Sequence, residues 1–351
     1  MDTPREAYLK AVRFETPDFV PMSYRINDAC WRNYDPDTLL ELMDRHPFLF
    51  PPEDRPADPS HPVFALVARR DEPYADDFGC VWRTLEDGIT GTVVTHPLSD
   101  WARYPSYVMP DPAACTGIGP VDWAAERARA EALRTAGKLA VGRLRHGHTF
   151  LQLCDLRGYE NLMYDFADDG PEIRRLIADL EEFNAGILAR WLDLGVDVVE
   201  IPEDLGMQVG PMLSPDHFRR FIRPSYRRFT RMVRERGAIV HMHSDGDIRD
   251  LADDLVEGGV EVLNLQDLVN GIDWIAGRFG GKVCVELDVD RQQVTVRGTP
   301  EEVDRLVREE VGRIGSRRGG LMMVFGLYPG VPLANVRALM DAMERYAFFY
   351  A

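Results

Sequence analysis

Residues 238–247, AIVHMHSDGD, begin as an apolar run, Ala238-Ile239-Val240, and end in a polar one, His241 to Asp247. Successive side chains of a strand point to opposite faces. His241, His243 and, if the backbone stays extended, Asp245 therefore project from one face. Two imidazoles and a carboxylate at a strand end make a donor set for a divalent metal or for acid–base work. Gly246 permits a sharp turn into the polar start of a helix. The competing reading of such a His-x-His is a polar loop with one structural histidine, and the flanking sequence decides between the two.

Working outward, short apolar runs alternate with amphipathic ones. Strands are expected at Lys138–Leu144, Val196–Ile201, Ala238–His243, Val260–Leu265, Val283–Leu287 and Leu321–Phe325. Helices are expected between them: Pro171–Leu194 with proline in its first turn, Pro215–Arg236 capped by Ser214, and a capping box at Thr299-Pro-Glu-Glu. With Phe19–Tyr24 and Phe48–Phe50 near the start, eight strands result. Continuous apolar strands separated by helices are the pattern of a parallel sheet covered on both faces. Eight such units predict an α/β fold, a (β/α)8 TIM barrel over residues 1–351 read as a single domain. The alternative, a doubly wound sheet, lacks a G-x-G-x-x-G or G-x-x-x-x-G-K-[ST] after any strand. From Glu53 to Pro112 the pattern changes to short β-prone runs punctuated by Gly and Asp, an inserted meander or lid.

In a barrel of this kind function sits at the C-terminal strand ends. Those ends are polar here: Arg25; Arg143, Arg145, His146 and His148; Glu200, Glu203 and Asp204; His241, His243 and Asp245; Asn264, Gln266 and Asp267; Glu286, Asp288 and Asp290; Tyr328. Carboxylates without partners are costly to bury, so convergence of so many on one rim speaks for a site.

Composition bounds the function. The formal charge is −17, which argues against a nucleic-acid partner because phosphate binding needs clustered Lys and Arg. The basic stretch Arg219–Arg236 has helical spacing and reads as a solvated face. No apolar run reaches the roughly 18 residues of a membrane span. The N-terminus lacks an apolar signal region, so a cytoplasmic location is expected. Five scattered cysteines, Cys30, Cys80, Cys115, Cys154 and Cys284, suggest neither a zinc ribbon nor a disulfide framework.

Six stretches carry a family resemblance. They are RFETPDFVP (13–21), DDFGCVWRTLEDGITGTVVTHPLSDW (76–101), LRGYENLMYDFADD (156–169), the run from Val196 to Phe229, AIVHMHSDGDIRDLADDLVEGGVEVLNLQD (238–267) and VPLANVRALMDAM (331–343). In this order the chain resembles the uroporphyrinogen decarboxylase superfamily, nearer its metal-dependent methyltransferase-like branch than the true decarboxylases. The resemblance implies a TIM-barrel enzyme, often a homodimer. The N-terminal arginine-rich signature of true uroporphyrinogen decarboxylases is missing, and only Arg25 stands in SYRIND. The methyltransferase branch carries H-x-C-G after its fifth strand and a further Cys near the last. Here that motif falls on His243-Ser244-Asp245-Gly246, with Asp245 in place of the thiolate, and no Cys lies between Phe325 and Tyr328.

The expectations are these. His241, His243 and Asp245, with Glu286, hold a divalent metal, Zn²⁺ first and Fe²⁺, Mn²⁺ or Co²⁺ as alternatives. Glu203 and Asp204 serve as ligand or base, while Arg25, Arg145 and Tyr328 orient a small-molecule substrate. The activity is methyl transfer or demethylation, with a corrinoid as methyl carrier and a corrinoid protein as partner. The alternatives are a decarboxylase or lyase of a small carboxylate, with His148 or Tyr328 as proton donor, and a non-catalytic corrinoid- or ligand-binding barrel.

Overall fold

A computed structural model describes residues 1–51, 55–56 and 58–351. Residues 52–54 and 57, which include the expected start of the inserted segment at Glu53, lie outside the described residues. Among the described residues the strands are β1 Met22–Ile26, β2 Tyr74–Ala75, β3 Val81–Arg83, β4 Thr92–Thr95, β5 Val141–Arg143, β6 Val198–Glu200, β7 Ile239–Ser244, β8 Val262–Gln266, β9 Cys284–Asp288 and β10 Leu321–Leu327. The chain divides into two compact units. A central unit comprises residues 74–82 and 93–265, and a terminal unit comprises residues 1–73, 83–92 and 266–351.

In the central unit β5, β6, β7 and β8 lie side by side and parallel. In the terminal unit β1, β10 and β9 do the same. Helices follow these strands, so the chain has the repeating β/α architecture of a TIM-barrel-like fold, with seven parallel strands among the described residues. The expected strand at Phe48–Phe50 is a turn. Its amides at Leu49 and Phe50 donate to the His46 carbonyl at 3.1 and 3.0 Å, so they are closed locally, and Phe48 packs on Phe19 and Phe348. Of the β-prone runs of the inserted segment, those at 79–83 and 91–95 form β3 and β4 of the small sheet β2-β3-β4, with β2 and β3 antiparallel, whereas the run at 63–67 forms no strand and leads into a short 3-10 turn at Leu66–Ala68.

The strands of the central unit are short and buried, with Val198, Val199, Ile239, Val240, Met242, Val262, Leu263 and Leu265 all in the core. The helix Pro171–Asp193 covers β5. It buries Ile173, Leu176, Leu180, Phe183, Ile187, Leu188 and Trp191, each worth about 1.5–3 kcal/mol of removal from water. Gly142 makes that contact close: a Cβ there would stand 2.6 Å from Trp191 Cγ. Trp191 also donates its indole N–H to the Arg143 carbonyl at 2.8 Å. The helix expected at Pro215–Arg236 starts on its Ser214 cap but widens to a π turn at Phe218–Ile222. Pro224 has no N–H to continue the ordinary ladder there.

The terminal unit is closed by the helices Pro300–Ile314 and Leu333–Ala347, which pack on each other. The capping box at Thr299 and Glu302 forms as expected. All five cysteines are free. No helix is long and apolar enough to cross a membrane among the described residues.

Candidate active site

The ladder between β6 and β7 builds the site. Glu200 lies in register with His241. Past the end of β6 the ladder continues: Ile201 N–H donates to the His241 carbonyl, Glu203 N–H to that of His243 and Gly206 N–H to that of Asp245, at 2.8, 3.0 and 3.2 Å. The segment 203–206 is thereby laid along His243–Asp245. Gly246 and Gly206 allow the approach. Gly246 has φ +80°, and a Cβ on it would sit 2.2 Å from the Gly206 carbonyl carbon. Only glycine fits both demands.

The loop after β5 is fastened to the same segment. Leu144 N–H donates to Glu200 O and Gly147 N–H to Pro202 O, both at 3.0 Å. Arg145 Nε donates to the His146 carbonyl at 3.2 Å. These bonds carry His146 over Asp204.

The outcome is one carboxylate faced by two imidazoles. Asp204 Oδ1 lies 3.2 Å from His146 Nε2 and 3.5 Å from His243 Nε2. It also accepts the Asp245 amide at 3.2 Å. The two rings are 5.7 Å apart, centroid to centroid. Asp245 is close as well, 3.6 Å from His243 Nε2. On the other side of the His243 ring, Nδ1 meets Asn264 Oδ1, from the residue in register with it on β8. One donor atom each from His146, Asp204 and His243 lies within 4.8 Å of the others, the spacing of a metal-ligand set. The site is open, since the His146 side chain is 51% exposed and that of Asp204 30%.

The electrostatics follow from these contacts. Burial pulls the His243 imidazolium down, but the hydrogen bond to Asp204, the charges of Asp245 and Asp204 and the Asn264 oxygen outweigh it and hold the ring at about 9. Burial pushes Asp204 up, and the two histidines overcome it and hold the carboxylate well below its usual range.

Other residues singled out by sequence lie elsewhere. His241 is buried in β7, one alternation before His243, and no group of three donors among the described residues includes it. Glu203 is fully buried. It accepts the Thr149 and Leu151 amides at 3.1 and 2.8 Å and the Tyr226 hydroxyl, and so caps the helix Phe150–Arg157. His148 is fully buried against Tyr226 and Phe229, with Nδ1 2.6 Å from Thr149 Oγ1. Burial pushes its imidazole down to about 3, so it is neutral. Arg145 is a buried hub: it pairs with Asp155 at 3.1 Å and Asp76 at 3.6 Å, bonds Gln152 and lies over the Trp82 ring. Burial pushes Asp155 up to about 6 even so. Arg25, Glu286 and Tyr328 belong to the terminal unit. There Arg25 is exposed on β1, Glu286 is half-buried on β9, and Tyr328 is partly exposed beneath the Arg291 guanidinium. His146 and Asn264 join the cluster around Asp204 and His243 without having been among the expected site residues. The signal was a second His-x-His, RHGH, and a polar Asn inside an apolar strand.

The model of the uroporphyrinogen decarboxylase (URO-D) family matches residues 79–346, and the chain belongs to that family. No curated protein sequence matches it significantly. Among solved structures, a methyltransferase from Methanosarcina mazei superposes over 100% of both chains with a TM-score of 0.65 at 16% identity. A B12-independent methionine synthase from Shewanella sp. W3-18-1, in complex with selenomethionine, matches 66% of this chain and 69% of its own with a TM-score of 0.42 at 13% identity. At these identities the likeness is one of fold.

Proposed function

We propose that this protein is a metal-dependent enzyme of the URO-D family that transfers a methyl group to or from a small molecule, with a corrinoid as the methyl carrier. The observation that carries the reading is the carboxylate of Asp204 held between His146 and His243 at an open strand end. Family membership and whole-length likeness to a methyltransferase fold support it. The residues at this strand end fit a divalent cation: two imidazole nitrogens and a carboxylate oxygen are accepted donors for Zn²⁺, Fe²⁺, Mn²⁺ and Co²⁺. Such an ion supplies Lewis acidity to a bound oxygen. The chain's own residues do the rest. Asp204 fixes both rings, Asn264 orients His243, and Asp245, 3.6 Å from His243, stands where it can take a proton from an acceptor. Within the central unit, His241 and Asp245 remain the alternative ligands to His146 and Asp204. A cytoplasmic homodimer that meets a corrinoid protein is the setting that suits this reading, and the charge of −17 speaks against a nucleic-acid partner.

The test incubates metal-loaded protein with reduced cobalamin and a panel of methoxylated or methylamine compounds, following methylcobalamin by its visible spectrum. Methylcobalamin formation is expected. Carbon dioxide release from a small carboxylate, without methyl transfer, would favour the lyase reading instead. Ligand binding without either turnover would favour a binding protein.

A further inference from the structure

We infer that His146, Asp204 and His243 are the metal ligands, a two-imidazole, one-carboxylate set carried wholly by the central unit, and that the ion takes an oxygen ligand rather than a thiolate. The substrate part of this inference rests on the methyl-transfer reading above; the ligand assignment does not.

An amide oxygen only accepts, so the contact of Asn264 Oδ1 with His243 Nδ1 places a ring hydrogen on Nδ1. His243 Nε2 is thereby turned toward the Asp204 carboxylate 3.5 Å away. His146 brings its own Nε2 to the same oxygen at 3.2 Å. Each ring can donate an Nε2–H to that oxygen, and a divalent ion would displace those protons and take the two nitrogens and the oxygen as its ligands.

The surroundings match those of a metal centre. Histidine ligands characteristically donate their other ring N–H to a fixed acceptor, which sets the tautomer. Asn264 does this from the register partner of His243 on β8. The Asp245 amide bonds Asp204 Oδ1 and holds the carboxylate in place. The half-exposed His146 leaves a path for the ion and for a further ligand.

The donor types set the preference. Two neutral nitrogens and one carboxylate leave a divalent ion with a net positive charge. Such an ion stays a strong Lewis acid toward oxygen, and no cysteine sulfur joins the group among the described residues. The ligand class is therefore a hydroxyl or methoxy oxygen.

The full chain, stripped of metal, is titrated with Zn²⁺ by calorimetry and with Co²⁺ by visible absorption, with circular dichroism confirming that each variant is folded. One equivalent is expected. His146→Gln and Asp204→Asn should each weaken binding by at least about 100-fold, and Asn264→Leu by about 10–100-fold through loss of ring orientation. Asp245→Asn should change it by less than about 10-fold, since Asp245 lies outside the set. Methanol or phenol should perturb the Co²⁺ bands, and 2-mercaptoethanol should add no sulfur-to-cobalt charge-transfer band. Unchanged affinity in both His146→Gln and Asp204→Asn, or no binding by the folded wild type, would overturn the ligand assignment. A sulfur band would overturn the oxygen preference. Metal bound as described without methyl transfer would sink the functional reading and leave the ligand set standing. Methyl transfer by a protein whose metal is indifferent to these residues would do the reverse.

Discussion

Asp204 and Glu310 are both carboxyl groups withdrawn from water, and they meet opposite fates. Asp204, in the central unit, faces two imidazoles and a backbone amide, so it stays ionised although burial opposes this. Glu310, in the terminal unit, is fully buried on the helix Pro300–Ile314. Burial first, then the charges of Asp267 and Asp290, push it well above its ordinary value, so it keeps its proton. Its neighbour Asp267 is raised too, chiefly by burial, while accepting the Asp290 amide at 2.8 Å. Burial alone therefore does not mark a reactive carboxylate. The sign of what surrounds it does: cations and donors keep a charge ready for use, and other acids extinguish it.

The contrast can be broken by mutation. The largest effect is expected at Asp204. Asp204→Asn keeps the shape and removes the charge shared by both imidazoles, so turnover should fall on the order of 1000-fold while the melting temperature moves little. Rate assays paired with thermal melts check this, and a comparable loss of stability would recast Asp204 as a structural residue.

Next comes Arg145, which reads as a site arginine in sequence but lies buried between Asp155 and Asp76. Arg145→Met strands two buried carboxylates and should cost about 3–5 kcal/mol in chemical denaturation. Loss of substrate affinity without loss of stability would return Arg145 to a binding role. Gly246→Ala should follow, because its Cβ would collide with the Gly206 backbone at a positive φ. A destabilisation of about 1–3 kcal/mol, with weakened metal binding, is expected.

The smallest effect has the opposite sign. The unfolded chain releases the Glu310 proton near its ordinary value of 4.5, while the folded protein retains it. The folded state thus binds more protons above that pH, so the contribution of Glu310 to stability declines as pH rises. Glu310→Gln removes the decline. Its melting temperature should exceed that of the wild type by about 2–4 °C at pH 8 and match it near pH 4.5. A wild type equally stable across that range would show that Glu310 ionises freely.

Much of this was legible in the sequence. The apolar runs at Val260–Leu265 and Leu321–Phe325, the Ser214 cap and the Thr299 capping box all form where composition placed them. Phe48–Phe50 misled because an aromatic run before Pro51 is equally suited to a strand or to a turn packed on other rings. In the site, His243 and Asp204 were in view. His146 was seen but not selected, because alternation along one strand groups His241 with His243, whereas the ladder between neighbouring strands groups His243 with residues of other loops. The register of Glu203 on His243 and of Gly147 on Pro202 is a tertiary fact that spacing along the chain does not encode. Likewise, nothing in the letters His148 and Glu203 distinguishes a rim residue from one fully buried below it.

One measurement tests the account most directly: the rate at which metal-loaded protein methylates reduced cobalamin from an active methoxylated or methylamine donor, compared among wild type, Asp204→Asn and Glu310→Gln. Glu310→Gln is expected to match the wild type and Asp204→Asn to be nearly inert. Equal rates in Asp204→Asn and wild type, or loss confined to Glu310→Gln, would contradict it.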